Sequence, residues 1–253
     1  MRTTPHIELD APTPEAIDGR HIRALSFQAV RMEYLAEVAP GGEGRRALVV
    51  GGGRGLVAAG LAGAGYRVTA VDPSPVATAY AREAHRRDGL AIADLVARAE
   101  ELPFDEGGFD LVYGADTLEV TADLDGVLGE VARVLAPGGA FVYDTVSRTA
   151  LSRLVYLGAF QAVPMTRIMP PGRYRADRLR TPAEVGAALA RHGLRSRDVR
   201  EFKPRSALGL VRAVMGRRSG RITDAEIPPL VDFVLSPTAR PQVTYLGWAV
   251  KPQ

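Results

Sequence analysis

Short apolar runs alternate with amphipathic stretches through the first part of the chain, with glycine or acidic turns between them. Residues 1–19 carry prolines and acids without a period and read as a loose arm. A helix follows, with Phe27, Val30, Met32, Tyr34 and Leu35 giving it a partly apolar face. At 47–50 the run Ala-Leu-Val-Val is short, apolar and β-branched, as strands buried on both faces are. Gly51-Gly52-Gly53-Arg54-Gly55 comes next, then a small-residue helix over 56–64 and a strand over 66–71 that ends at Asp72. Strand, glycine turn, helix, strand and acid in that order make a βαβ unit, with the acid about 20 residues beyond the glycines.

The alternation continues with a helix over 75–87, an extended run over 90–97, a strand over 109–113 and a helix over 124–135. Pro137-Gly138-Gly139 closes that helix before a strand over 140–145. Repeated strand-then-helix order predicts a parallel sheet with helices on both faces. Beyond 147 the rhythm breaks: an apolar helix-like piece at 151–163 leads into the loop Met169-Pro170-Pro171-Gly172. Thr181 as N-cap, Pro182 in the first turn and Gly193 as C-cap bound a helix over 181–192. Segments at 206–215 and 224–235 read as helical insertions, and 243–250 as a last strand. The chain reads as one domain over 1–253, its 1–40 segment lying over the pocket and 147–180 and 204–238 forming lid or insertion segments.

With 253 residues, 46% hydrophobic and 24% charged, the chain can bury a core without metal or disulfide support. It has no cysteine, which excludes thiolate ligands and a thiol nucleophile and makes the cytoplasm the expected location. No run approaches the roughly 20 apolar residues of a membrane span. The net charge of +3 comes from arginines scattered among acids, so no nucleic-acid partner is expected.

Glycines between a strand and a helix let a ligand approach the backbone, and the helix N-terminus then faces its negative end. An acid closing the second strand is placed to accept hydrogen bonds from ribose hydroxyls. The tight Gly-x-Gly-x-Gly spacing of 51–55 lacks the wider step of the dinucleotide fingerprint.

Glu100-Glu101-Leu102-Pro103-Phe104, Phe109-Asp110-Leu111-Val112 and Arg133-Val134-Leu135-Ala136-Pro137-Gly138-Gly139 together resemble class I S-adenosylmethionine-dependent methyltransferases. Tyr143-Asp144-Thr145-Val146-Ser147-Arg148-Thr149, Met169-Pro170-Pro171-Gly172 and Thr181-Pro182-Ala183-Glu184 are similar to the ubiquinone-biosynthesis O-methyltransferase (3-demethylubiquinone methyltransferase) family, over about 25–250. The resemblance implies a Rossmann-like class I fold: a mostly parallel seven-stranded sheet, helices on both faces and a small lid. It implies S-adenosylmethionine as methyl donor, S-adenosylhomocysteine as product, and a phenolic or catechol-like acceptor, hydrophobic in some relatives. Carried over residue by residue, Gly51, Gly53 and Gly55 border the methionine moiety and Asp72 holds the ribose. Pro73, Ser74, Ala99 and Glu100 flank the adenine, and Gly114, Ala115 and Asp116 line the sulfonium and the acceptor entrance. The sequence departs from the family at Val49 and Arg98, where relatives carry acidic or polar groups, and at Val120, where they carry a histidine.

Methyl transfer from a sulfonium requires alignment and removal of the acceptor's proton. With Val120 in the histidine's place, Asp116 and Glu119 are the nearest carboxylates, three apart and on one face of a helical turn. Either serves as base, or the pair holds a divalent cation; the sequence supports no metal site. The alternative is that they only cap and start a helix. His21, in the segment that covers the pocket, is a replacement base. His85 and His192 are expected at the surface, and Tyr143 in packing. Arg148, Arg153, Arg167, Arg173 and Arg175 on the lid face an anionic substrate, an acidic membrane surface or solvent. Leu151, Leu154, Val155, Tyr156, Leu157 and Phe160 form either an apolar wall for a hydrophobic or prenylated substrate or an ordinary buried helix. The three departures keep two other readings open: a repurposed fold catalysing cyclisation or rearrangement, and a non-catalytic partner. The oligomeric state is open, with a dimer compatible.

Overall fold

The computed structural model describes residues 6–11, 16–236, 238 and 240–253. Parts of the arm read at 1–19, namely 1–5 and 12–15, lie outside them. Within the rest, Asp18 accepts hydrogen bonds from the backbone N–H groups of Arg20 and His21 and so caps α1 (Gly19–Val38).

Eight strands form one sheet: β1 (Arg46–Val50), β2 (Arg67–Asp72), β3 (Ala93–Val96), β4 (Phe109–Gly114), β5 (Leu135–Val146), β6 (Arg195–Pro204), β7 (Phe233–Ser236) and β8 (Thr244–Val250). Their order is β3-β2-β1-β4-β5-β8-β6-β7. The first five pair in parallel, whereas β8 runs antiparallel to both β5 and β6. The expected seven strands become eight because 224–235 is not a helix. Pro228 and Pro229 lack the amide N–H that a helix interior needs, so the segment makes only the short 3₁₀ turns Asp224–Glu226 and Pro228–Leu230. Phe233, Val234 and Leu235 then pair antiparallel with the edge of β6. Pro137-Gly138-Gly139 likewise lies inside β5, where a register shift between Phe109 and Leu111 of β4 absorbs it.

The remaining helices are α2 (Leu56–Gly63), α3 (Pro75–Arg87), α4 (Leu124–Val134), α5 (Ala150–Ser152), α6 (Pro182–Arg191) and α7 (Ala207–Arg218). The alternation of β1 divides the core. Leu48 and Val50 pack with Val127, Leu128 and Val131 of α4 and Val185 and Leu189 of α6. Ala47 and Val49 pack on the other face with Phe27, Val30 and Tyr34 of α1 and Val57 and Leu61 of α2. Each such buried valine, leucine or phenylalanine side chain stabilises the fold by roughly 1.5–3 kcal/mol. The piece read as helical at 151–163 winds, after α5, as a π-helix over Arg153–Ala162, a geometry that recurs at functional sites. It joins α7 and the start of α1 in a third cluster, with Ile22, Tyr156 and Val214. Asp72 closes β2, and the glycine turn and Asp116 lie just past the carboxyl ends of β1 and β4, the edge at which open α/β sheets bind ligands.

Candidate active site

After β1 the chain reverses through Gly51, whose φ of +78° suits glycine. A Cβ there would stand 2.3 Å from the carbonyl oxygen of Ala115 and 2.4 Å from Thr117 Oγ1. The amides of Gly51 and Gly52 both donate to the carbonyl of Val71 at 2.9 Å. That tie brings the turn against the end of β2, where the Gly53 amide donates to Asp72 Oδ2 at 2.8 Å and the Ser74 amide to Asp72 Oδ1 at 2.9 Å. Ser74 itself caps α3, accepting from the amide of Ala77.

The remaining lone pairs of Asp72 are taken by Arg20 from the first turn of α1. Arg20 Nη1 donates to Oδ1 at 3.1 Å and Nη2 to Oδ2, and both side chains are largely buried. Burial disfavours the Arg20 charge, but the bond to Asp72 and the charges of Asp72, Asp10 and Asp116 raise its pKa above the usual arginine value. On one side of Arg20 a cavity of about 20 Å³ is lined by His21, Ala24, Gly51, Gly53, Ala115 and Asp116. On the other, a cavity of about 180 Å³ is lined by Pro73, Ala99, Glu100, Thr117, Val120 and Arg173. Gly114 ends β4 behind Ala115. Val49 is wholly buried in the core, and Arg98 is exposed and pairs with Glu100 at 3.4 Å.

Behind the smaller cavity lies a buried charge network. Arg23 Nη2 donates to Asp116 Oδ1 at 2.6 Å and to Glu119 Oε1 at 2.8 Å. Arg31 Nη2 lies 2.9 Å from Asp116 Oδ1 and donates to Asp144 Oδ1 at 2.7 Å. Tyr113 donates to Asp144 Oδ2 at 3.0 Å, Thr145 to Glu119 Oε2 at 3.2 Å, and Arg23 Nη1 to the Tyr174 hydroxyl at 2.9 Å. Burial alone would raise the Asp116 carboxyl, yet Arg23 and Arg31 hold it well below the usual range. Glu119 meets the same burial, which outweighs Arg23; with Asp116 and Asp144 adding repulsion it is pushed up to about 7. Asp144 is raised as well, burial outweighing Arg31. Asp116 adopts a φ of +47°, uncommon for a residue with a Cβ.

The structure thus brings two of the three candidate bases, His21 and Asp116, to the same small cavity. Glu119 is fully buried behind Arg23, 0% exposed. Among the described residues, the Nδ1 of His21 is buried without a hydrogen-bond partner. Burial and the charge of Arg54 lower the His21 pKa to about 4, against the opposing pull of Asp18, so its ring is neutral. Tyr143 packs fully buried in the core. His85, expected at the surface, is instead buried, 3% exposed, between α3 and β3, because Asp94 and the Gly55 carbonyl both hydrogen-bond its ring. Sequence reading did not single out Arg20, Arg23 and Arg31. The available signal was their spacing with Phe27 and Tyr34: positions 20, 23, 27, 31 and 34 fall on one helical stripe. Arginine recurring inside a buried stripe demands buried carboxylates as partners.

Residues 48–143 match the family model described as a methyltransferase domain. The chain is 32% identical over 185 residues to the ubiquinone biosynthesis O-methyltransferase of Xanthomonas axonopodis pv. citri, covering 72% of this chain and 75% of that one. It is 38% identical over 183 residues to the malonyl-[acyl-carrier protein] O-methyltransferase of Geobacter sulfurreducens, covering 69% of this chain and 66% of that one. A solved S-adenosylmethionine-dependent methyltransferase from Aquifex aeolicus has the same fold, with a TM-score of 0.59 at 17% identity over 92% of this chain and 98% of that one. The chain belongs to the class I S-adenosylmethionine-dependent methyltransferases. Its methyl donor is S-adenosylmethionine and its product S-adenosylhomocysteine.

The residues present fit that donor on one condition. Asp72 offers two oxygens, and the nearest neighbours of a Cβ added at Gly53 would be Arg20 guanidinium atoms at 3.8 Å, so the glycine leaves its room toward Arg20. Small-ligand sites hold roughly 300–1,000 Å³, and neither cavity reaches that; Arg20, Gly51 and Asp116 line both. The condition is that Arg20, which lines both cavities, gives up its bonds to Asp72.

Proposed function

We propose that this enzyme methylates an oxygen of a hydroxylated, largely apolar small molecule, phenolic or catechol-like, of a quinone-precursor or specialised-metabolite type. The observation that carries the apolar acceptor is a cavity of about 430 Å³ between α1, the π-helix, β6 and α7, with Ile22, Phe27, Val155, Phe160, Leu210 and Phe233 among its lining. Of the side chains named for an apolar wall, Leu151, Val155, Tyr156 and Phe160 line it, while Leu154 is exposed. Helix α1 lines both this cavity, through Ile22, Arg23 and Phe27, and the donor cleft, through Arg20, His21 and Arg31, and Arg23 reaches Asp116 of the cleft.

In this reading Gly51, Gly53 and Gly55 border the methionine moiety of the donor, Asp72 takes the ribose, and Pro73, Ser74, Ala99 and Glu100 flank the adenine. Gly114 and Ala115 back the reacting carbon. His21, neutral and with its Nδ1 unpartnered among the described residues, accepts the acceptor's proton. Asp116, held ionised by two arginines, orients the site, and Glu119 fixes Arg23. The donor itself supplies a strongly electrophilic methyl, so alignment and this proton transfer suffice.

The cysteine-free chain acts in the cytoplasm in this reading, and the lid meets a membrane or a prenylated substrate at its surface. Leu151, Leu154, Met165, Leu208 and Val211 are exposed, and Arg153 and Arg212 on the same elements are exposed too. Each such cation is worth about 1 kcal/mol beside anionic lipid. Among the described residues no helix is long and apolar enough to cross a membrane. The deciding experiment incubates purified enzyme with S-adenosylmethionine and a panel of catechols, with and without apolar tails. A mass increase of one methyl, greatest for tailed catechols, is expected; methylation of none of them while S-adenosylhomocysteine still binds would sink the acceptor assignment.

A further inference from the structure

His85 has no part in the chemistry above, yet its ring is buried between the glycine turn and the sheet. Nδ1 lies 2.8 Å from Asp94 Oδ2 on β3, and Nε2 lies 3.0 Å from the carbonyl oxygen of Gly55. Both partners are acceptors. A neutral imidazole has one N–H, so either tautomer sets a ring lone pair against an oxygen; the imidazolium, with two N–H donors, satisfies both.

The carbonyl so held belongs to the residue that ends the donor turn. Gly55 also accepts from the Ala59 amide at 2.9 Å, the first bond of α2, and its own amide donates to the Gly52 carbonyl at 3.0 Å. Its φ is +88°, and a Cβ there would stand 2.3 Å from His85 Nε2, so the ring fills space that only glycine leaves. Between Gly52 and Gly55 sits Gly53, whose amide is bound to Asp72.

We propose that His85, as an imidazolium bridging Asp94 to the Gly55 carbonyl, is a positioning residue that holds the glycine turn in its donor-binding shape. The charged groups around the ring are few. Asp94 faces it from β3 and Asp88 from the end of α3, and α2 has no titratable side chain. Arg82 of α3 donates to the Asp94 backbone carbonyl at 2.8 Å, while Arg86 and Arg87 are paired with Glu83 and Asp88. Burial lowers the His85 pKa, but the bonds to Asp94 and Gly55 and the charges of Asp94 and Asp88 more than offset it, leaving it above 6.5. With the folded pKa raised, the bridge is complete below pH 6.5 and is lost as pH rises through the raised value.

This inference rests on the donor placement proposed above, and two readouts separate them. Calorimetric titration with S-adenosylhomocysteine from pH 6 to 10 is expected to show affinity falling about tenfold on the alkaline side, the cost of one charge-assisted hydrogen bond. The midpoint should coincide with that of the His85 ring followed by nitrogen-15 NMR. Asp94→Asn should move both midpoints to lower pH, and His85→Gln should bind weakly at every pH, raising donor KM with little change in kcat. A neutral ring at pH 6, or His85→Gln binding like the unaltered enzyme, overturns the proposal. Absence of binding at all pH values counts against the donor placement instead, and the NMR titration of the unaltered enzyme then decides His85 alone.

Discussion

Arg20, at the start of α1, donates through both terminal nitrogens to Asp72, at the end of β2, and so occupies the carboxylate proposed to hold the donor ribose. Helix α1 also lines the apolar cavity proposed for the acceptor, so in the proposed placement one helix serves both ligands. With the ribose placed there as proposed, donor affinity contains the cost of breaking this pair. Arg20→Ala removes the competitor, and S-adenosylhomocysteine is expected to bind about tenfold more tightly, as when a fractionally populated competent state becomes dominant. Calorimetry of the variant checks this; an unchanged or weaker affinity would mean that Arg20 does not compete.

His21→Gln tests the proton acceptor. Loss of a positioned base costs roughly 10²–10⁴ in rate, and the expected result is a fall of that order in kcat with donor affinity within about a factor of two of the original. Should Asp116→Asn alone produce the loss while His21→Gln stays active, the roles are reversed.

The pH profile follows from the same group. His21 is depressed from 6.5 to about 4, so its neutral form persists to mildly acidic pH and its stabilising contribution, present above 6.5, is lost as pH falls through about 4. Methyl transfer is expected to hold down to about pH 5 and then decline. A rate that instead rises through pH 7 would point to Glu119, whose carboxyl titrates at about 7.

Glu119 makes its own prediction for stability. Its folded pKa is raised from 4.5, so its contribution is full below 4.5 and is lost as pH rises through about 7. Thermal melts of Glu119→Gln should vary less between pH 5 and 8 than those of the unaltered enzyme. Equal pH slopes would show that the carboxyl is already ionised at pH 5.

Breaking the network by removing one partner leaves an uncompensated buried charge. Asp144→Ala strips Arg31 of one carboxylate and Tyr113 of its acceptor, and a loss of about 3–5 kcal/mol in denaturant unfolding is expected. A loss under about 1 kcal/mol would indicate that water or Asp116 alone suffices for Arg31.

Much of this enzyme is local in origin and could be read from its sequence. Val49 and Val50 make a strand by their own β-branching, and Gly51 to Gly55 a turn by their lack of side chains. Thr181, Pro182 and Gly193 bound their helix by local chemistry, and the structure adds a capping box between Thr181 and Glu184. What the sequence could not settle depends on partners distant along the chain. Charged β6 carries little apolar signal, and it becomes a strand because β8 offers a ladder, Phe202 opposite Thr244. Phe233 to Ser236 become the eighth strand only once β6 is there to pair with.

The site divides in the same way. The glycines and Asp72 were legible because backbone approach and a strand-end acid are short-range requirements. The pairing of Arg20 with Asp72 spans 52 positions and that of Arg31 with Asp144 spans 113, and His85 turns from a helix surface to a buried bridge only when β3 supplies Asp94. An ionised side chain is at home in water until the fold removes the water. The sequence determined which groups would be charged; the tertiary structure decided which of them had to find one another.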